Sequence, residues 1–345
     1  MTISISPRTG YTALQQDGFD ALIIGKTLRF QKADPTTVAF TKTSASTITL
    51  KANTIIGVAG FEKLYDVDTA IVMPALTAGT DYAIFACADG SIRADASFSA
   101  PSGYTTANSR KIGWFHYAPG GNATASAGGD TTPAINEYSL FDIKYRPACP
   151  DGRGMTAILN SFCADIYLTC LEHIVNGTSK YNVTIADGSS PPKIPLAFGG
   201  NGSTAYASYT RFQAADVLAS HGKRLPTYEE FGALAFGTTE ATSGGTDPTS
   251  TILRAAYTSR HGVMLSSGNM YVWGADFGGG AAAASWAANT GGRGSTYQME
   301  NAVLFGGYWG ETSGSGSLAS VWSYSPANSS SSIGSRGVCD LLILE

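Results

Sequence analysis

Short runs of alternating or β-branched apolar residues dominate the first third of the chain, from about residue 22 to residue 116. A period of two places every second side chain on one face, as in a half-buried strand. The runs cover residues 38–41, 47–51, 54–58, 70–73 and 82–87. Asp89-Gly90 follows the last run and is typical of a hairpin turn. Short strands at short spacing predict a β-sandwich, which we assign to residues 22–134.

The pattern changes after residues 118–133, a segment rich in Gly, Ala, Ser and Thr that is typical of a linker or surface loop. Residues 135–345 mix longer apolar stretches with small-residue segments, which predicts an α+β domain. We expect a helix around residues 164–168 and a strand over 270–274. Residues 1–21 are interpreted as an N-terminal strap or attachment segment.

A second helix is predicted over residues 212–218. Its spacing would place Phe212, Ala215 and Leu218 on one buried face. His221-Gly222 would end it, because glycine readily adopts the left-handed conformation found at helix ends.

A third helix is predicted to begin at Thr227. Thr227 and Glu230 have the spacing of a capping box, in which each side chain satisfies a free backbone N–H at the start of the helix. Phe231, Leu234 and Ala235 then form an apolar stripe, so this helix should pack on the core.

The last part of the chain, about residues 304–340, combines a stiff frame with an interior of small residues. Gly306, Gly307 and Trp309 open the segment, and Arg336 stands near its end. Between them lie runs of Gly, Ser, Ala and Asn that are too polar and too small to form a core. A rigid frame around a loosely constrained surface is typical of a recognition site.

The composition excludes several classes of function. Only 14% of the 345 residues are charged, the net charge is -4, and basic residues do not cluster. Nucleic-acid binding needs concentrated Lys and Arg, so we expect no nucleic-acid partner. No apolar run approaches the ~20 residues of a membrane-spanning helix, and residues 1–7 lack the pattern of a signal peptide. We therefore expect synthesis in a reducing cytoplasm and no membrane insertion.

Cysteine and histidine show no spacing typical of a metal or catalytic centre. The five cysteines are Cys87, Cys149, Cys163, Cys170 and Cys339, without a Cys-x-x-Cys pair. We expect buried free thiols, although spacing leaves open a disulfide from Cys149 to Cys163 or Cys170. The four histidines are dispersed. We predict no catalytic residue, no metal and no cofactor.

Four motifs together resemble the C-type lectin fold, in the variant found in formylglycine-generating enzymes and in retroelement-diversified proteins. They are Gly222-Lys223-Arg224-Leu225-Pro226-Thr227, Val272-Trp273-Gly274, Phe305-Gly306-Gly307-Tyr308-Trp309 and Arg336-Gly337-Val338-Cys339. From about residue 22 to residue 345 the chain is similar to phage receptor-binding proteins of this family. The resemblance implies a β-sandwich followed by a C-terminal C-type lectin-like domain over residues 135–345. It also implies an N-terminal β-prism, for which residues 1–21 are too short.

The resemblance further implies which residues vary. In these proteins a reverse transcriptase rewrites adenines, mostly in AAC codons, near the end of the gene. Randomising both adenines cannot produce Trp, Met, Lys, Gln or Glu; Glu311 is therefore excluded, and none of the implied positions carries such a residue. The implied variable, receptor-binding residues are Tyr308, Gly310, Thr312, Gly314, Val321, Ser323, Tyr324, Asn328, Ser330, Ser332 and Ile333.

Other residues of the segment are interpreted as the scaffold of the site. They are Gly306, Gly307, Trp309, Trp322 and Arg336. Arg336 should be buried and paired with a carboxylate or a carbonyl, whereas Tyr308 and Tyr324 are favoured for contact because Tyr offers area and a polar tip. Alternation from residue 308 to 314 suggests an extended backbone. The serines at 329–332 fit either a flexible linker or a binding loop.

The function that we favour is that of a phage or prophage receptor-binding protein at the tip of a tail fibre. The expected partners are a bacterial surface receptor, which we expect to be an outer-membrane protein, and two further copies of the chain in a homotrimer. One alternative is an enzyme of the formylglycine-generating type, but Cys339 has no partner nearby in sequence. Another is a carbohydrate-binding adhesin that is not diversified. The Glu-Pro-Asn, Gln-Pro-Asp and Trp-Asn-Asp motifs of calcium-dependent lectins do not occur.

Overall fold

The computed structural model describes residues 29–281, 286–288, 295–297 and 300–344, so the predicted segment 1–21 lies outside the described residues. The strands are β1 (Phe30–Gln31), β2 (Phe40–Lys42), β3 (Ile48–Leu50), β4 (Thr54–Val58), β5 (Phe61–Tyr65), β6 (Thr69–Ala70), β7 (Thr80–Cys87), β8 (Ile92–Asp95), β9 (Ser109–Ala118), β10 (Ala134–Ile135), β11 (Phe141–Asp142), β12 (Tyr145–Pro147), β13 (Met155–Ile158), β14 (Phe162–Asp165), β15 (Tyr271–Ala281), β16 (Trp286–Ala288), β17 (Ser295–Tyr297), β18 (Glu300–Phe305), β19 (Ser320–Tyr324), β20 (Ile333–Gly334) and β21 (Val338–Ile343). The α-helices are α1 (His173–Asn176), α2 (Arg211–Ser220) and α3 (Tyr228–Ala235). Short 3₁₀ helices lie at Glu137–Ser139, Leu196–Phe198, Ala255–Tyr257 and Thr312–Gly314.

Strands β1 to β9 enclose one hydrophobic core. Two three-stranded sheets, β1-β4-β5 and β2-β3-β6, contribute buried side chains to it together with β7, β8 and β9. Most of the predicted strands are confirmed, and Asp89-Gly90 does join β7 to β8, with Gly90 at φ +81°. The run at 70–73 is shorter than predicted, because only Thr69–Ala70 pairs as a strand beside β3.

A nine-stranded sheet connects the two halves of the chain. Its order is β13-β14-β21-β12-β11-β9-β7-β8, with β10 beside β9. The last strand, β21, lies between β14 and β12 and pairs antiparallel with both. The C-terminal end of the 304–340 segment is therefore tied into a sheet that begins near residue 80.

The helix predicted around residues 164–168 is wrong. Phe162–Asp165 is strand β14, with all four side chains buried. It pairs with β13 on one side and with β21 on the other. A short apolar run looks the same in a buried strand as in a buried helix, and distant pairing decides between them.

Helix α2 forms where it was predicted, and Gly222 follows its end at φ +68°. Its buried face is different, however. The side chains that it buries are Gln213, Ala214, Val217 and Leu218. Phe212 and Ala215 are only partly buried.

Helix α3 confirms the predicted capping box. The Thr227 hydroxyl accepts from the Glu230 backbone N–H, and the Glu230 carboxylate accepts from the Thr227 N–H. Phe231, Leu234 and Ala235 are fully buried, as predicted. Among the described residues no helix combines the length and the apolar character needed to cross a membrane.

Candidate functional site

The residues implied to vary lie on or beside a four-stranded sheet of order β19-β18-β15-β20. Strand β19 forms one edge, and the short strand β20 pairs parallel with β15 at the other. Residues 306–319 connect β18 to β19, and residues 325–332 connect β19 to β20. These two connections and the two edge strands carry all eleven implied residues.

Two glycines turn the chain out of β18. Gly306 and Gly307 are buried and have φ of +85° and +80°, a conformation that favours glycine. A Cβ at Gly306 would lie 2.8 Å from the Phe231 ring, and one at Gly307 would lie 2.3 Å from Ser315 Oγ. Both positions therefore require glycine for conformation and for space, as expected of a scaffold.

The backbone from residue 308 to 314 is not extended, contrary to the prediction. The Glu311 N–H donates to the Tyr308 carbonyl at 3.1 Å, and Thr312–Gly314 forms a 3₁₀ helix. The prediction rested on an alternation of residue types with a period of two. Such a pattern does not reveal turns that are closed by hydrogen bonds between residues three apart. The loop presents its side chains from a tight turn instead of from a strand.

Most of the implied variable side chains reach the surface. Five are exposed: Gly310, Thr312, Gly314, Ser323 and Asn328. Five are partly exposed: Tyr308, Val321, Tyr324, Ser330 and Ser332. Ile333 is different, because it is buried in the core opposite Tyr271. It would therefore influence a partner through packing rather than by direct contact.

The serine-rich run at 329–332 is anchored at several points. The Tyr209 N–H donates to Ser329 Oγ at 2.8 Å, and the Gly188 N–H donates to the Ser330 carbonyl at 2.9 Å. Such bonds fit a held binding loop better than a flexible linker.

Side chains outside the segment hold the 306–319 loop. Ser243 Oγ donates to the Trp309 carbonyl at 2.8 Å. The Glu240 carboxylate accepts from the Ser317 N–H at 2.9 Å and from its hydroxyl at 2.6 Å. Sequence reasoning missed both supports, and a lone glutamate in a stretch of small residues was the available signal.

The two tryptophans of the segment pack on the core and remain partly exposed. Trp322 meets the Tyr228 ring edge-on at 6.4 Å between centroids. A Cβ at Gly278 would lie 2.9 Å from the Trp322 ring, so the glycine makes room for it. Trp309 meets the Tyr308 ring edge-on at 5.4 Å. This packing favours a supporting role over stacking on a ligand.

Tyr271, at the start of β15, lies beside both favoured contact tyrosines. Its ring stacks on Tyr308 with centroids 5.4 Å apart and planes at 26°, and it tilts against Tyr324 at 6.4 Å. The Tyr271 hydroxyl donates to the Glu311 carboxylate. Burial and then this hydrogen bond raise the pKa of Tyr271, so it stays neutral. Nothing in the sequence pattern singles out Tyr271.

Arg336 is fully buried and pairs with carbonyls, as predicted. Its guanidinium donates to the carbonyls of Asp165 and Ile166, both at 2.8 Å, and to that of Met264 at 2.6 Å. Burial lowers the pKa of Arg336 to about 9. The side chain therefore fastens the junction between β20 and β21 to the end of β14.

Three of the cysteines meet in space. Cys163 and Cys339 are cross-strand partners on β14 and β21, and Cys149 and Cys339 lie 3.4 and 4.0 Å from Met155 Sδ. Burial raises the pKa of the Cys163 thiol. All five cysteines lie within the described residues and are buried free thiols, as expected.

Two of the histidines also meet. His173 Nδ1 and His221 Nε2 lie 2.9 Å apart, and His173 Nε2 lies 2.8 Å from the Lys193 carbonyl. Burial lowers the pKa of both, and that of His221 falls to about 4. In the described part of the chain, no group of three or more His, Cys, Asp or Glu residues is arranged to hold a metal ion.

Comparison with known proteins shows which proteins this chain resembles. Residues 38–142 match the family model described as the Mtd second domain. The chain is 56% identical over 325 residues to the tail fiber receptor-binding protein of Bordetella phage BPP-1, which covers 92% of this chain and 85% of that protein. The solved M1 and I1 variants of the Major Tropism Determinant are each 55% identical, with TM-scores of 0.92. These matches cover 94% and 93% of this chain and 88% of each of theirs.

The matches extend over nearly the whole chain and confirm the resemblance inferred from the motifs. The mostly β architecture with few helices agrees with a C-type lectin-like fold. The chain therefore belongs to the family of phage tail-fibre receptor-binding proteins that includes the Major Tropism Determinant variants.

Proposed function

We propose that this chain lies at the tip of a phage tail fibre and determines tropism by binding a molecule on the bacterial surface. The supporting observation is the arrangement of residues 304–340. Buried residues hold the backbone, while ten of the eleven implied variable residues are exposed or partly exposed. Exposed substitutions usually change stability by no more than about 0.5 kcal/mol, so such a surface can vary while the fold persists. Binding is reversible recognition without chemistry.

The proposed receptor is an outer-membrane protein. The site offers tyrosine rings and hydroxyl groups, which suit a protein partner because they combine contact area with adaptable hydrogen bonding. We also propose that a retroelement diversifies the site. Its signature would be a near-copy of the 3′ end of the gene, with adenines at the implied codons. Without that copy the protein would be an adhesin that is not diversified.

The finer fold assignment is part of the same proposal. Residues 22–134 would form a β-sandwich, supported by the core that β1 to β9 enclose. Residues 135–345 would form a C-type lectin-like domain of the formylglycine-generating type. No enzymatic activity is proposed, for two reasons. Cys149, Cys163 and Cys339 are each at most 4% exposed, and the relatives of the chain are receptor-binding proteins.

The proposal is tested with the double variant Tyr308→Ala/Tyr324→Ala. The probe is outer-membrane vesicles from the Gram-negative strain that binds the fluorescent unmodified protein most tightly in a screen. We expect at least about a tenfold loss of affinity, because tyrosines are frequent hot spots in interfaces. A matched control, Tyr104→Ala/Tyr117→Ala, changes two partly buried tyrosines, one just before β9 and one on it, and should bind normally. Undiminished vesicle binding by the Tyr308/Tyr324 variant would refute the site.

A further inference from the structure

We propose that Tyr271 and Glu311 form a fixed pair that positions Tyr308 for contact with the receptor. Neither residue is among those implied to vary, and neither is predicted to touch the receptor itself. The inference rests on the proposed function, because it concerns the same binding site.

Tyr271 is fixed at its backbone and at its hydroxyl. Its N–H donates to the Ser332 carbonyl at 3.0 Å, and the residue pairs with Ile333 across β15 and β20. Its side chain is only 5% exposed, and its hydroxyl donates to Glu311. A buried ring held in this way offers a stable surface to its neighbours.

Glu311 acts on Tyr308 by two routes. Its backbone N–H closes the turn on the Tyr308 carbonyl at 3.1 Å. Its carboxylate orients Tyr271, and the Tyr308 ring stacks on that residue at 5.4 Å, within the range that aromatic pairs prefer. The backbone and the ring of Tyr308 are thus both set by the pair.

Two of the glycines implied to vary lie close to Tyr308 and Glu311. A Cβ at Gly310 would lie 2.9 Å from the Tyr308 ring, and one at Gly314 would lie 3.0 Å from Glu311 Cγ. A larger residue at either position would displace Tyr308 or Glu311 in addition to making its own contacts. Substitutions at residues 308, 310 and 314 should therefore be non-additive, since they share these neighbours.

The test compares three variants in the vesicle assay. Tyr271→Phe keeps the stacking ring and removes the hydroxyl, Glu311→Ala removes the acceptor, and Glu311→Gln restores an acceptor oxygen. We expect Tyr271→Phe and Glu311→Ala to bind up to about tenfold more weakly, because the Tyr308 side chain would then have to be ordered on binding. Glu311→Gln should recover most of the binding. The matched control is Tyr145→Phe, because Tyr145 is also 5% exposed and donates its hydroxyl to the Asn160 side chain.

A spectroscopic readout separates positioning from general loss of structure. With 5-fluorotryptophan incorporated, the ¹⁹F resonance of Trp309, assigned through Trp309→Phe, reports on the Tyr308 ring that it touches. Tyr271→Phe and Glu311→Ala should shift this resonance and leave that of Trp114 unchanged. Tyr145→Phe should leave the Trp309 resonance in place.

The outcomes distinguish the inference from the proposed function. If the unmodified protein binds no vesicles from any strain, the proposed function fails and this inference fails with it. If the unmodified protein binds and both Tyr271→Phe and Glu311→Ala bind equally well, only the positioning role is overturned. An unmoved Trp309 resonance in both variants would also overturn it.

Discussion

Gly307 shows how a single residue can set the start of the 306–319 loop. Its φ of +80° turns the chain away from β18, and Ser315 from later in the loop lies where a side chain would be. The turn out of β18 and the close approach of Ser315 therefore both depend on Gly307 having no Cβ. This explains physically why the frame of the segment contains glycine next to residues that the resemblance implies to vary.

Replacing Gly307 by Ala should destabilise the protein by more than the conformational cost alone. An alanine with positive φ costs about 1–2 kcal/mol, and overpacking a close contact adds roughly 1–3 kcal/mol. Gly60→Ala is the matched control, because Gly60 has φ +86° and a Cβ there would have nothing within 4 Å. Chemical denaturation of both variants measures the difference. Equal losses of unfolding free energy in the two variants would show that Ser315 can move aside without destabilising the protein.

At the scale of elements, the contact between α1 and the end of α2 should make stability depend on pH. The pKa of His221 in the folded protein is about 4, below the ordinary value of 6.5, because burial and then the neighbouring His173 and Lys223 disfavour its charge. The unfolded chain therefore binds a proton that the folded chain does not. The free energy of unfolding should be highest above pH 6.5 and fall as the pH drops towards 4.

The variant His221→Gln isolates this effect, since carboxyl groups also titrate in the lower part of this range. Its free energy of unfolding should fall less steeply between pH 6.5 and 4 than that of the unmodified protein. Ala219→Ser, an exposed and non-titrating change at the end of the same helix, should keep the original slope. Urea denaturation at several pH values measures all three. Identical slopes for His221→Gln and the unmodified protein would contradict the assignment.

Elements specified by local chemistry were predictable, whereas those specified by distant contacts were not. The capping box at Thr227 and Glu230 depends on neighbours three residues apart, so it could be read directly. Strand β14 depends on pairing with β21, where Cys163 faces Cys339 across more than half of the chain. No periodicity within residues 164–168 carries that information.

The same distinction applies to the candidate site. The family resemblance supplied the residues implied to vary, and most of them do reach the surface. The supports are different, because each acts from far along the chain. Tyr271 bonds to Glu311 from 40 residues away, and Glu240 bonds to Ser317 from 77 residues away. Such contacts follow from the fold and not from spacing.

At the scale of the whole molecule, the nine-stranded sheet holds the C-terminal end of the candidate site in place. Strand β21 begins two residues after Arg336 and is bounded by β14 and β12. That sheet also contains β7 and β9 from the first half of the chain. The end of the 304–340 segment is therefore anchored in the largest sheet among the described residues, which favours a rigid presentation of its surface.

We expect the protein to form a homotrimer, as the resemblance implied. Light scattering at micromolar concentration should give about three times the 35.8 kDa of one chain. A trimer would supply avidity, which matters because a single patch of mostly small side chains should bind weakly. Linked sites raise apparent affinity by roughly 10²–10⁴ when they can engage together. A mass of one chain under these conditions would contradict the trimer.

Vesicle binding by the same sample shows whether the trimer serves recognition. If avidity operates, apparent affinity should fall steeply as receptor density on the vesicles is reduced, because fewer sites can engage at once. Tyr308→Ala/Tyr324→Ala should lose binding at every density while keeping the mass of the unmodified protein. Affinity that does not change with density, from a sample of trimeric mass, would mean that each site binds independently and that assembly has another role.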